Sequence, residues 1–161
     1  MTRLSGMGID VEMPSGWDAR IYGRPPGELG PALAAGHLSA ASHAVVHAGN
    51  FPLPATRGDF GSGAVELMRS GDVLVVLFEY GPESAGTPLF AAQGPPQALT
   101  ADRFSARALQ RVIPGQMGTQ VFFSTANRAF CLYVVLATHA SPSRLVGLVN
   151  PVLASLRIAA S

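Results

Sequence analysis

Two stretches of the chain are apolar at nearly every position, and they fix the centre of the fold. Val73–Tyr80 (VLVVLFEY) and the run from Phe130 to Ala137 leave no polar face, the pattern of strands covered on both sides. In the second run Phe130, Leu132, Val134 and Leu136 face one way, and Cys131, Tyr133, Val135 and Ala137 the other. Leu74, Val76, Phe78, Leu132, Val134 and Leu136 are therefore expected to be buried. Gln120 to Ser124, followed by turn chemistry at Thr125 to Asn127, predicts an antiparallel neighbour for the second strand. A shorter stretch at Ala64 to Met68, closed by Ser70-Gly71, reads as a hairpin partner of the first.

Elsewhere the pattern alternates. Ile9, Val11 and Met13 interleave with Asp10 and Glu12, the period-2 signature of a half-exposed strand. After Pro14-Ser15-Gly16, Trp17, Ala19 and Ile21 alternate with Asp18, Arg20 and Tyr22, which predicts a hairpin between the two strands. Met1 to Gly6 has no periodicity and is expected to fray, leaving 7–161 as one globular domain. Val45 and Val46 make Ser42 to Ala48 a strand, and the Ala-rich stretch before it stays open between helix and irregular chain. Ser105 is a candidate cap for a short helix through Arg111. Ser141 and Pro142 start a C-terminal helix with Leu145, Leu148, Val149, Val152 and Leu156 as its apolar stripe and a kink at Pro151. The architecture expected is α+β: a single antiparallel sheet flanked by helices, the C-terminal one amphipathic.

Composition narrows the function classes. A net charge of +1 gives no electrostatic case for nucleic acid or an anionic membrane surface. The longest apolar run is too short for a membrane span, which needs about 20 residues. All eleven basic residues are Arg, so chemistry that needs a lysine amine is excluded. One cysteine permits no intrachain disulfide. The N-terminus shows no apolar targeting region, and the default compartment is the cytoplasm.

Candidate chemistry is sparse. His43 and His47 are four apart, but on a strand that spacing separates them by roughly 13 Å, too far for one metal ion. His37 and His139 add no ligand pattern, so neither a metal nor any other cofactor is indicated. Cys131 lies in the most apolar strand, where a thiol behaves as a small hydrophobe. Asp59-Phe60-Gly61-Ser62-Gly63 lacks the first glycine of a nucleophile elbow, and no catalytic residue is assigned. Glu79 ends an apolar strand, where a side chain is expected to reach water. Binding function usually resides in long loops on a rigid sheet. Here these are Arg24 to Gly30 and Gly49 to Gly63, the latter offering Phe51, Arg57, Asp59, Phe60 and Ser62 as contacts.

The opening strand into Pro14-Ser15-Gly16-Trp17, the central antiparallel strands, and the final helix running into Ala154-Ser155-Leu156-Arg157-Ile158 resemble the PsbP-like α/β/α sandwich group. The resemblance implies a noncatalytic protein that docks onto a larger assembly or a small GTPase, and it transfers no site residues. The expectation is an accessory or interaction domain with a protein partner or a second copy, because two-sided apolar strands need cover on both faces and one amphipathic helix covers only one. The other must be closed by the Ala-rich segment and the Gly/Pro-rich middle, or by another protein surface. The alternative is an enzyme or small-ligand-binding protein whose site is built by the long loops over the sheet.

Overall fold

A computed structural model describes residues 1–24, 43–138 and 141–160. The fold is α+β, with two antiparallel sheets and one α-helix among the described residues. It is not the single sheet flanked by helices expected above. The larger sheet holds β3 (Asp18–Arg24), β4 (His43–Gly49), β5 (Val73–Tyr80), β6 (Met117–Thr125) and β7 (Arg128–Leu136), in the order β3-β4-β5-β7-β6. The smaller has β2 (Ile9–Met13) between β1 (Thr2–Gly6) and the two-residue β8 (Arg157–Ile158). Helix α1 spans Pro142–Ser155.

The two-sided apolar strands behave as their pattern predicts. Leu74, Val76, Leu132, Val134 and Leu136 are essentially inaccessible, and Phe78 is buried. Even-numbered residues 130–136 join one core with Val73, Val75 and Leu77, while Cys131, Tyr133 and Val135 join a second with Leu74, Val76 and Phe78. Burial pushes the Cys131 thiol up to about 12, so it is protonated and inert at neutral pH. β6 and β7 are antiparallel and joined by Ala126 and Asn127, both with positive φ, as a two-residue hairpin turn requires.

The first core lies under α1 and the small sheet. Ile9, Val11 and Met13 meet Val46, Val75, Leu132, Val152 and Leu153 there, leaving a void of only about 20 Å³. Three expectations fail in this region. Residues 2–6 do not fray but pair with β2 through a Met7-Gly8 turn whose φ values are 52° and 77°. Nor do β2 and β3 form a hairpin. β2 has β1 on one edge and β8 on the other, so the turn after Met13 carries the chain into the other sheet. α1 starts at Ser141 and Pro142 as expected, the cap serving without a side-chain hydrogen bond, but Leu148 of the expected stripe faces solvent while Leu145, Val146, Val149, Val152 and Leu153 are buried. Asn150 exchanges two hydrogen bonds with the backbone of Leu99, at 2.9 and 3.1 Å, fastening the neighbouring loop to the helix.

The second core is closed by irregular chain. Phe51, Phe60, Ala64, Val65, Leu109 and Ile113 lie over it, and Phe90 and Phe122 extend an aromatic row from Tyr80. Ala64 to Met68 is not a strand: Val65–Leu67 forms a 3₁₀ turn whose Val65 carbonyl accepts from Gln116 Nε2 at 2.7 Å. The helix expected from Ser105 is a single turn at Ala106–Ala108, because the Ser105 backbone instead bridges to Gly118 on the edge of β6. The Ala-rich stretch and all of the first long loop beyond Arg24 lie outside the described residues. So do His37 and His139.

Glu79 does not reach water. It is buried at the end of β5 and makes a bidentate ion pair with buried Arg128 of β7, at 2.8 and 2.9 Å. Its Oε1 also accepts from the Ala44 N–H, and Arg128 donates to the Ala159 carbonyl. Burial works to raise the carboxyl, but the Arg128 and Ala44 hydrogen bonds outweigh it and hold Glu79 below its ordinary value. This pair ties β4, β5, β7 and the C-terminal segment together at one end of the large sheet.

Candidate functional site

β4 brings His47 to the same face as Val45, beneath the loop that follows the strand. The imidazole is completely buried, yet both nitrogens are engaged. Nε2 lies 2.8 Å from the Asp59 carbonyl, which can only accept, so Nε2 carries the proton. Nδ1 is then a lone-pair acceptor, and Arg57 Nε donates to it at 2.9 Å. Burial pulls the imidazole pKa down; the Asp59 carbonyl opposes that shift and Arg57 adds to it. A neutral histidine in one fixed tautomer therefore clamps two loop residues at once.

The loop folds back on itself to present those residues. Gly58 N–H donates to the Ser62 carbonyl at 2.8 Å, and Gly61 N–H to the Gly58 carbonyl at 2.9 Å. Gly63 has a φ of 92°, and a Cβ there would stand 2.8 Å from the Thr56 carbonyl, so a side chain fits neither the backbone nor the space. The start of the loop is pinned by Leu53 N–H donating to Asp18 Oδ2 at 2.9 Å. Tyr22 of β3 donates to Asp59 Oδ1 at 2.9 Å, and its ring meets the His47 ring edge-on. Burial, followed by the Asp59 carboxylate, raises the Tyr22 pKa, so the phenol keeps its proton.

The result is an open cleft of about 510 Å³ between β3 and the loop. Arg20, Tyr22, Arg57 and Asp59 supply its polar groups, with Leu53 and Ala55 as apolar wall. A second depression, about 280 Å³, lies beside β2, but its charges neutralise each other through an Arg3–Asp10 ion pair. Arg157 there donates to backbone carbonyls of its own segment.

Of the loop residues singled out by sequence, Arg57 and Asp59 line the cleft. Phe51 is buried beside Gly49, and Phe60 stacks on Phe78 with ring centroids 4.7 Å apart, so both hold the loop to the sheet. Ser62 is exposed, and its backbone closes the loop's turn. Arg20, Tyr22 and His47 complete the arrangement and were not anticipated. The available signal was a histidine alternating with valine on a strand that is otherwise apolar. His43 and His47 sit on a strand as expected, and no group of three or more metal-ligating side chains converges among the described residues. No family model, curated protein or solved structure matches this chain.

The His47 clamp carries a pH signature. In the unfolded chain a histidine takes up a proton as pH falls through about 6.5, whereas buried His47 resists until lower pH. Protons thus favour the unfolded state, and stability present above pH 6.5 declines below it by at most about 1.4 kcal/mol per pH unit. Thermal unfolding at pH 7.5 and 5.5 should show this loss in the wild type and a flatter dependence in His47→Gln. Glu79 acts in a separate window, below the ordinary carboxylate range.

Proposed function

We propose that this chain is a small-ligand-binding protein whose site is the cleft between β3 and the 50–63 loop. The observation that carries the reading is the clamp of buried neutral His47 on Arg57 and Asp59. It holds polar groups in fixed positions around a cavity of ligand size. Binding rather than turnover is favoured because no activated nucleophile lines the cleft among the described residues. Both His47 nitrogens are occupied, and the Tyr22 proton is held on Asp59.

The docking function implied by the PsbP-like resemblance has less to rest on. The need for outside cover on the second sheet face is met by the chain's own irregular segments. No helix among the described residues is long and apolar enough to cross a membrane. Thermal-shift screening against a panel of small metabolites tests the proposal. A stabilising ligand should lose about tenfold or more in affinity for Arg57→Gln, the weight of one charge-assisted fork. Ligands that stabilise the variant and the wild type equally would place binding elsewhere.

A further inference from the structure

Arg57 is held as a receptor for an oxyanion. Its Nε is fixed by His47 Nδ1 and its Nη1 donates to the Pro54 carbonyl. Nη2 has no protein acceptor among the described residues, and Arg57 is one of the residues that line the cleft. The ordering entropy that a flexible arginine would lose on binding has thus been spent in folding. The neutral state of His47 is part of this, since a protonated Nδ1 has no lone pair for Arg57.

Asp59 supplies the complementary end. Tyr22 occupies its Oδ1, while Oδ2 has no donor among the described residues. Arg57 and Asp59 are two residues apart, at most about 7 Å along the chain. Both line the same cleft, so one small molecule can reach the two together. Arg20 at the rim is mostly exposed and paired with Asp18 at 2.6 Å, so the anion's charge falls to Arg57.

Resting on the cleft being a ligand site, we infer that it takes a small organic anion with a hydrogen-bond donor next to its charge: the carboxylate or phosphate on Arg57, the donor on Asp59. A 2-hydroxy or amino carboxylate has this chemistry, as does a phosphate ester beside a hydroxyl.

Amide and arginine side-chain NMR shifts, followed during titration with lactate, propionate, inorganic phosphate and glycerol, test the assignment. Ligands this small bind in the millimolar range at best. Lactate should shift residues 20–22 and 53–59 and bind at least about threefold tighter than propionate, which lacks the hydroxyl donor. Asp59→Asn should erase that difference, and Arg57→Gln should weaken lactate about tenfold or more while leaving the fold's shifts elsewhere intact. Phosphate binding tighter than lactate at the same residues supports the anion site and marks its head group as phosphate. Glycerol shifting the cleft as strongly as lactate would overturn the anion assignment while leaving the cleft a ligand site. No shift from any probe, with a screening hit that still maps to the cleft, would likewise overturn the anion assignment alone. No shift from any probe and no such hit would remove both.

Discussion

Arg128→Met is expected to destabilise the protein by about 3–5 kcal/mol, the largest loss of any single side-chain change here. The cost comes less from the broken pair than from what it leaves behind. Glu79 would remain buried, with its charge uncompensated and only the Ala44 N–H to satisfy it. The alternatives, protonating Glu79 or opening the sheet end to water, each cost free energy. The double variant with Glu79→Met removes both charges and should recover most of the loss, because a buried ion pair is often worth no more than a well-packed apolar pair. Urea unfolding with an unchanged m-value measures both variants. A single variant within about 1 kcal/mol of wild type would mean that water reaches Glu79.

Leu132→Ala should cost about 2–5 kcal/mol. Leu132 is 1% exposed in the middle of β7, between Leu77 of β5 and Val121 of β6, and it packs under α1 and the small sheet. That layer has almost no void to absorb a further cavity, so relaxation can recover little. Leu148→Ala is the matched control. Leu148 is 38% exposed on α1, and its truncation should fall within about 0.5 kcal/mol of wild type. Equal losses at the two positions would contradict the assignment of the helix face.

The contrast between these leucines shows how far the sequence could be read. Strands apolar on both faces left no choice about their burial, and β5 and β7 are where the pattern put them. On α1 the stripe was ambiguous, because Leu148 and Leu153 both fit helical spacing and only the helix's rotation against β2 and β7 decides between them. The frayed start failed for a local reason: Met7 gives no sign that it will adopt positive φ, and without that turn β1 has no partner. Arg128 was illegible as a core residue, since a basic residue beside a turn reads as solvated until Glu79 is found opposite.

The same limit applies to the cleft. Arg57 and Asp59 stood out as polar residues in a long loop, and both line it. Tyr22 and His47 come from two different strands, and nothing in the sequence reports which loop will cover them. Their joint role depends on β3 and β4 pairing so that Tyr22 faces Val45, which sets the phenol edge-on to the imidazole two residues further along β4. Two-sided burial likewise revealed that the second sheet face must be covered, by the chain's own irregular segments or by another protein surface, but not which of the two.

The nitrogen chemical shifts of the His47 imidazole test the central claim most directly. A neutral ring with the proton on Nε2 and a bonded acceptor at Nδ1, protonating only below the ordinary histidine midpoint near 6.5, is the predicted result. Shifts at residues 20–22 and 53–59 on adding a stabilising ligand should leave that tautomer in place. A His47 ring that titrates with an ordinary pKa near 6.5, or exchanges between tautomers, would contradict the clamp and with it the preformed cleft.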